Sequence, residues 1–227
     1  MKIIIHHSGS TGNLYQAGDL LIEAGVPIRK IKESLNFKLS SIAGCLCSHS
    51  HGDHSKGVRD LLQCGIDCYC SEATANELNL GGHRLHIIEP GKQFTIGPWT
   101  IKAFDLVHDV QNIGFLIARG EDKIMYATDT NYIPVRFKGL THIMLGINYD
   151  GEILVKNIVH GSLHPALGKR ILTNHMSFST FKKFLKANDL SQCREIHLLH
   201  LSQANSDEAK FKKETEQLTG VPTYIGK

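Results

Sequence analysis

The stretch Ser41-Ile42-Ala43-Gly44-Cys45-Leu46-Cys47-Ser48-His49-Ser50-His51-Gly52-Asp53-His54 carries the reading of this chain. Its first half is apolar and short, the composition of a buried strand. Its second half offers three imidazoles and a carboxylate within six residues. On an extended backbone, side chains two residues apart face the same side, so His49 and His51 point together. Gly52 permits a tight bend, and Asp53 and His54 follow where the pattern becomes helical. Imidazole nitrogen and carboxylate oxygen are ligands of divalent cations. A histidine-rich surface loop would share this composition, but it would not sit between a buried strand and a helix.

Outward from that segment, Ile3 to Ile5 and Leu20 to Glu23 read as strands joined by the turn Ser8-Gly9-Ser10-Thr11-Gly12-Asn13. Pro27 opens a helix expected to reach about Phe37. After the histidines come a helix over Lys56 to Cys64, the strand Ile66 to Cys70 and a short helix over Glu72 to Leu78. Strands dominate from His86 to Thr128, with Gly114 to Ala118 and Lys123 to Ala127 forming a hairpin across Arg119-Gly120-Glu121-Asp122. Thr141 to Ile147 and Glu195 to Leu199 are further strands, and Val221 to Ile225 is the last. Helices are expected over Glu152 to Val159, Pro165 to Leu172, Phe178 to Ala187 and Asp207 to Leu218, with Ser177 capping the third. Strand-rich halves flanked by helices predict an α/β fold of two sheets packed face to face between helical layers.

The 227 residues suit a single domain over 1–227, 41% apolar and 21% charged. A net charge of +3 does not by itself indicate nucleic-acid binding. No signal peptide is legible, and no stretch approaches the ~20 apolar residues of a membrane span. The expectation is therefore a cytoplasmic protein with no membrane partner. Its six cysteines are then free thiols. Cys45 and Cys47, and Cys68 and Cys70, alternate in strand-like segments, which favours burial over a cysteine metal site.

More candidate ligands lie at strand ends, where functional groups gather: His108, Asp129 and His200. His83, His86, His142 and His197 read as surface or satisfied core histidines. With the spaced residues added, the pattern resembles the metallo-β-lactamase superfamily, an αββα sandwich of two mixed sheets with metals at one edge. The resemblance implies that His49, His51 and His108 hold one metal, that Asp53, His54 and His200 hold the second, and that Asp129 bridges them. It implies two divalent ions, zinc first, with manganese or iron as alternatives. Ser8 to Asn13 followed by Leu20-Leu21-Ile22-Glu23-Ala24-Gly25, the segment Asn174-His175-Met176-Ser177 and the closing His200-Leu201-Ser202 with Asn205 are similar to the YycJ/WalJ-like branch of nucleases and phosphodiesterases. Gly146-Ile147-Asn148-Tyr149-Asp150 departs from that branch, which usually shows Glu-Ser-Asn-His-Asp there, and Asn174 replaces a glycine.

The chemistry implied is phosphodiester hydrolysis. Two cations ~3.5–4 Å apart bring a shared water to a pKa of about 7, so a metal-bridging hydroxide attacks phosphorus. Asp53 would orient that nucleophile, and His175 would stabilise charge or protonate the leaving oxygen. Ser8, Ser10, Asn13, Asn148, Lys169, Arg170 and Ser177 are the candidate substrate contacts. Between Glu152 and Asp189 there is no acidic residue, while Lys156, Lys169, Arg170, Lys182, Lys183 and Lys186 are basic. That bias points to an anionic ligand, a nucleic acid or a nucleotide. No aromatic array accompanies it, so base stacking is not evident. A cyclic-nucleotide phosphodiesterase is the rival within this class, and a thioester or lactone hydrolase uses the same ligands. A homodimer is compatible with the sequence, although no self-association surface is legible.

Overall fold

The computed structural model describes residues 1–227. The first sheet runs β1 (Ile3–His7), β2 (Leu14–Ala17), β3 (Leu20–Ile22), β4 (Gly44–Leu46), β5 (Cys68–Cys70) and β6 (Leu85–Ile87), in sequence order. Its first three strands are antiparallel and the remaining pairings parallel. The second sheet contains β7 (Gln93–Ile96), β8 (Trp99–Leu106), β9 (Asn112–Arg119), β10 (Asp122–Ala127), β11 (His142–Gly146), β12 (Glu195–Leu199) and β13 (Thr223–Ile225). It is ordered from β13 down to β7, antiparallel from β7 to β10 and parallel beyond. Both sheets are mixed.

Strand periodicity sorts the side chains into layers. Leu20, Ile22 and Leu46 meet Trp99, Ile101, Ala103, Phe115, Ile117 and Tyr126 in the core between the sheets. The alternate residues Leu21, Cys45, Cys47, Cys68 and Cys70 face outward onto a helical layer. That layer is α1 (Ile28–Ser34), the short α2 (Gly52–Ser55), α3 (Val58–Gln63) and α4 (Glu72–Glu77), contributing Ile31, Val58, Leu61 and Ala75. On the opposite side lie α5 (Gly151–Val159), α6 (Pro165–Asn174), α7 (Phe178–Ala187) and α8 (Glu208–Thr219). Phe178, Phe181 and Phe184 of α7 and Phe211 of α8 cover Met125, Ile143, Leu145, Ile196 and Leu198. The result is the αββα sandwich expected from the sequence.

Three local readings are corrected. Ser8 to Asn13 joins β1 to β2, not β1 to β3. The sequence reading missed β2 because three of its four residues are buried, so no polar alternation marks it. The first helix ends at Ser34, since Asn36 and Phe37 take positive φ of 48° and 60°. The strand before the histidines is only Gly44–Leu46, preceded by a 3-10 turn over Leu39–Ser41. No helix is long and apolar enough to cross a membrane. Cys45, Cys47, Cys68 and Cys70 are buried free thiols, with Cys45 and Cys68 paired in register.

Candidate metal centre

The candidate ligands gather where the two sheets' C-terminal strand ends meet. Chain leaving β4 brings His49, α2 brings Asp53 and His54, and chain leaving β8, β10 and β12 brings His108, Asp129 and His200. Backbone contacts hold the histidine segment in place. Asn13 N donates to Asp53 O at 2.8 Å, Ala24 N donates to His54 O at 2.9 Å, and the Asn13 amide reaches Asp53 O at 3.0 Å. Gly25 must be glycine here, because a Cβ would lie 1.7 Å from the Asp53 carbonyl oxygen. Asp129 and His200 have positive φ of 48° and 53°, a region side chains avoid unless the surroundings hold them there.

Two clusters result. Donor atoms of His49, His51, His108 and Asp129 lie within 4.8 Å of one another, as do those of Asp53, His54, Asp129 and His200, so Asp129 belongs to both. In the first, His51 Nδ1 is 3.2 Å from His49 Nε2 and 3.3 Å from His108 Nε2. In the second, Asp129 Oδ2 is 3.2 Å from His54 Nε2, and His200 Nε2 is 3.1 Å from Asp53 Oδ2.

Hydrogen bonds behind the rings decide whether these nitrogens present lone pairs. His108 Nδ1 donates to the Asn174 carbonyl at 3.2 Å, and His51 Nε2 lies 3.3 Å from Asp109 Oδ1. His49 Nδ1 meets Ser48 Oγ at 2.8 Å. The Asn174 carbonyl and the Asp109 carboxylate can only accept, so they place the ring proton on the outer nitrogen of His108 and His51 and turn a lone pair inward, as in metal-ligating histidines. Lone pairs converging within hydrogen-bond distance repel one another unless a cation takes them. The donor set therefore fits divalent metal ions, and mixed nitrogen and oxygen ligands suit such ions.

Electrostatics agree. Burial, followed by the neighbouring His54, holds the His49 imidazole well below its ordinary range, in the neutral ligating form. Burial likewise lowers His108. For His54, burial is outweighed by the Asp129 carboxylate, and its pKa is raised well above the usual range; His200 is raised in the same way. Burial opposes ionisation of Asp129 and Asp53, yet His200 and His54 hold both carboxyls well below the carboxylate range. The protons on His54 and His200 supply positive charge that a bound cation would replace.

Other residues singled out in the sequence take varied places. His175 is 20% exposed, with Nδ1 3.4 Å from Asp129 Oδ1. Ser8 accepts from His200 N at 2.9 Å, and Asn148 donates to His200 O at 3.3 Å. Ser8, Ser10 and Asn148 line one cleft of 730 Å³ beside His200. Asn13 is fully buried and its amide serves Asp53 and His54, so it braces the ligand loop and does not reach substrate. The Ser177 hydroxyl caps α7 by accepting from Thr180 N, so it too is a structural group. Arg170 is paired with Asp109 at 3.2 Å and Lys182 with Glu214 at 2.7 Å, which neutralises part of the basic run. Lys169 is exposed on α6 and lines neither cleft beside His175. At Gly146 a Cβ would approach Thr128 Oγ1 to 2.8 Å, so β11 offers no side chain at that position.

Two groups escaped the sequence reading. Glu23 is fully buried behind His54, with Oε2 3.7 Å from His54 Nδ1, and it accepts the Tyr126 hydroxyl at 2.8 Å. Its signal was an acid ending an apolar strand. Asp109 touches His51, His108, Arg170 and Asn174, and its only signal was its place beside His108.

A four-layer sandwich with histidines and aspartates gathered at one edge of its sheets defines a class of metal-dependent hydrolases. The beta-lactamase superfamily domain matches residues 20–200, and the chain belongs to that superfamily. It is 31% identical to exodeoxyribonuclease WalJ of Streptococcus pneumoniae over 227 residues, covering 90% of this chain and 83% of that protein. Exodeoxyribonuclease YycJ of Bacillus anthracis is 26% identical over 216 residues, covering 88% and 81%. The metallo-beta-lactamase fold protein YhfI of Bacillus subtilis superposes with a TM-score of 0.75 at 18% identity, over 99% of this chain and 95% of that one.

Proposed function

We propose that this protein is a two-metal nuclease that hydrolyses phosphodiester bonds of DNA. The observation that carries the reading is the pair of donor clusters sharing Asp129, in a chain similar along most of its length to proteins named exodeoxyribonucleases. His49, His51, His108 and Asp129 would hold one ion, and Asp53, His54, His200 and Asp129 the other, with zinc favoured over manganese or iron by the imidazole-rich set. Bound there, the ions would activate water and withdraw charge from the phosphate.

The chain's own residues set the geometry. Asp129, held at a positive φ and within 3.7 Å of ring nitrogens of His49, His54 and His200, fixes the separation of the two clusters. Asp53, fixed by His200 and His54, orients the attacking water by accepting its hydrogen bond. Asp109 holds the His51 ring from behind, and the Glu23 carboxylate faces His54 Nδ1 at 3.7 Å. His175, whose Nδ1 is 3.4 Å from Asp129 Oδ1, lines two clefts, so it is placed to meet the phosphate or the leaving oxygen and to donate a proton to it.

The test is hydrolysis of linear DNA, RNA, a cyclic nucleotide and a thioester by the zinc- or manganese-loaded protein, beside its His51→Ala variant. Metal-dependent DNA cleavage lost in the variant is expected. Cleavage of only the thioester, or undiminished cleavage by the variant, overturns the reading.

A further inference from the structure

Two clefts share His175 in their walls, and they differ in chemistry. The one beside His200 has no tyrosine, phenylalanine or tryptophan in its wall, and its cation Lys227 is paired with Glu208 at 2.9 Å. The other, of 510 Å³, runs between the segment 131–136 and α7. No acidic residue lines it, and it carries Arg136 and Lys183, both exposed. Neighbouring cations Arg170 and Lys182 are neutralised by Asp109 and Glu214, whereas Arg136 and Lys183 form no ion pair. Of the cations on α6, α7 and the segment 131–136, Arg136 and Lys183 are the two that line the cleft, and both are free of ion pairs.

Tyr132 stands on the same wall, three residues beyond Asp129. The residue is 56% exposed, and its ring stacks on no other aromatic ring. Its backbone, by contrast, is held: its carbonyl accepts the Thr130 hydroxyl at 2.8 Å, and the following Ile133 is buried in the core. An anchored backbone presenting a free aromatic face beside unpaired cations is the combination by which single strands are bound: bases stack on the ring while phosphates meet the charges. It was invisible in the sequence because Tyr132 and Lys183 lie in separate segments of the chain that only the fold brings to one cleft.

We propose that this cleft is the track along which a single DNA strand reaches the metal centre, with a base stacked on Tyr132 and phosphates held by Arg136 and Lys183. The proposal rests on the nuclease reading, and it makes the preferred substrate a strand of several nucleotides in place of a single nucleotide or an intact duplex.

The test is binding of a fluorescein-labelled ten-nucleotide oligothymidylate to the metal-loaded protein, followed by anisotropy, with cleavage measured separately. Tyr132→Ala should weaken binding about tenfold. Arg136→Ala and Lys183→Ala should each reduce the slope of log affinity against log salt by about 0.7. Thermal unfolding confirms that each variant is folded, and Lys213→Ala on exposed α8 serves as the matched charge control. Wild-type protein that cleaves the oligonucleotide while all three variants bind it as wild type does overturns the track and leaves the nuclease reading standing. Binding lost in the variants with no cleavage by wild type overturns the nuclease reading and supports the track. Failure of wild type to bind the strand, or preference for a dinucleotide, overturns the track.

Discussion

Removing the Glu23 carboxylate should cost both stability and metal affinity, and the two effects separate by choice of substitution. Glu23 is fully buried, accepts the Tyr126 hydroxyl at 2.8 Å and Ser48 N at 3.3 Å, and faces His54 Nδ1 at 3.7 Å. Glu23→Ala strands two buried donors. Each unpaired donor costs about 1–3 kcal/mol, so the pair gives roughly 2–6 kcal/mol before any cavity is counted. Alanine is no better suited than glutamate to the φ of 66° at this position, so no backbone relief offsets the loss. Against a total of about 5–15 kcal/mol for a domain, that is a large fraction. Glu23→Gln keeps the volume and an acceptor for Tyr126 but presents a neutral amide to His54. It should lose less stability, while zinc affinity falls about 10–100-fold, the usual effect of losing a group that orients a ligating histidine. Urea unfolding of the metal-free protein gives the first quantity, and competition with a chromogenic zinc chelator gives the second. An Ala variant within about 0.5 kcal/mol of wild type would refute the burial argument. A Gln variant binding zinc as tightly as wild type would refute the role assigned behind His54.

Three further predictions concern other parts of the molecule. Burial would raise the Asp53 carboxyl, but His200 and His54 hold it far below the carboxylate range. A pKa depressed on folding contributes stability above the unfolded value of about 4, lost as pH falls through the folded value. The stability advantage of metal-free wild type over Asp53→Asn should therefore shrink below about pH 4, and an advantage constant down to pH 2 in denaturant titrations contradicts this. His175→Ala should lower kcat about 10²–10⁴-fold, the range for a lost general acid, while the protein still takes up metal; unaltered kcat removes His175 from the chemistry. Burial pushes the Cys70 thiol up to about 12 and raises Cys47 well above its usual range, whereas Cys64 is exposed. Iodoacetamide at pH 8 should modify Cys64 in the folded protein and the buried thiols only after unfolding, and peptide mapping that finds Cys47 modified under native conditions contradicts the layer arrangement.

The features legible in the sequence were those written locally. The histidine segment carries its ligands within six residues, and His108, Asp129 and His200 each mark the end of an apolar run. The sandwich followed because most strands alternate or form plain apolar blocks. Contacts made across the fold were not legible. β2 was hidden by burial on both faces. Asn13 and Ser177 looked like substrate groups because a polar side chain near a site has the same sequence signature whether it braces a loop or faces solvent. The acid-free run overstated the free charge, since the carboxylates that pair with Arg170 and Lys182, Asp109 and Glu214, come from elsewhere in the chain. Glu23 needed tertiary structure to be placed behind His54, and Tyr132 to be placed beside Lys183.

Titrating metal-free protein with zinc or manganese while following cleavage of a linear DNA tests the central claim most directly. Two clusters sharing one carboxylate predict activity that climbs to a plateau at two metal equivalents per chain and is abolished in Asp129→Ala. Full activity without metal, or cleavage by Asp129→Ala at the wild-type rate, would contradict the account.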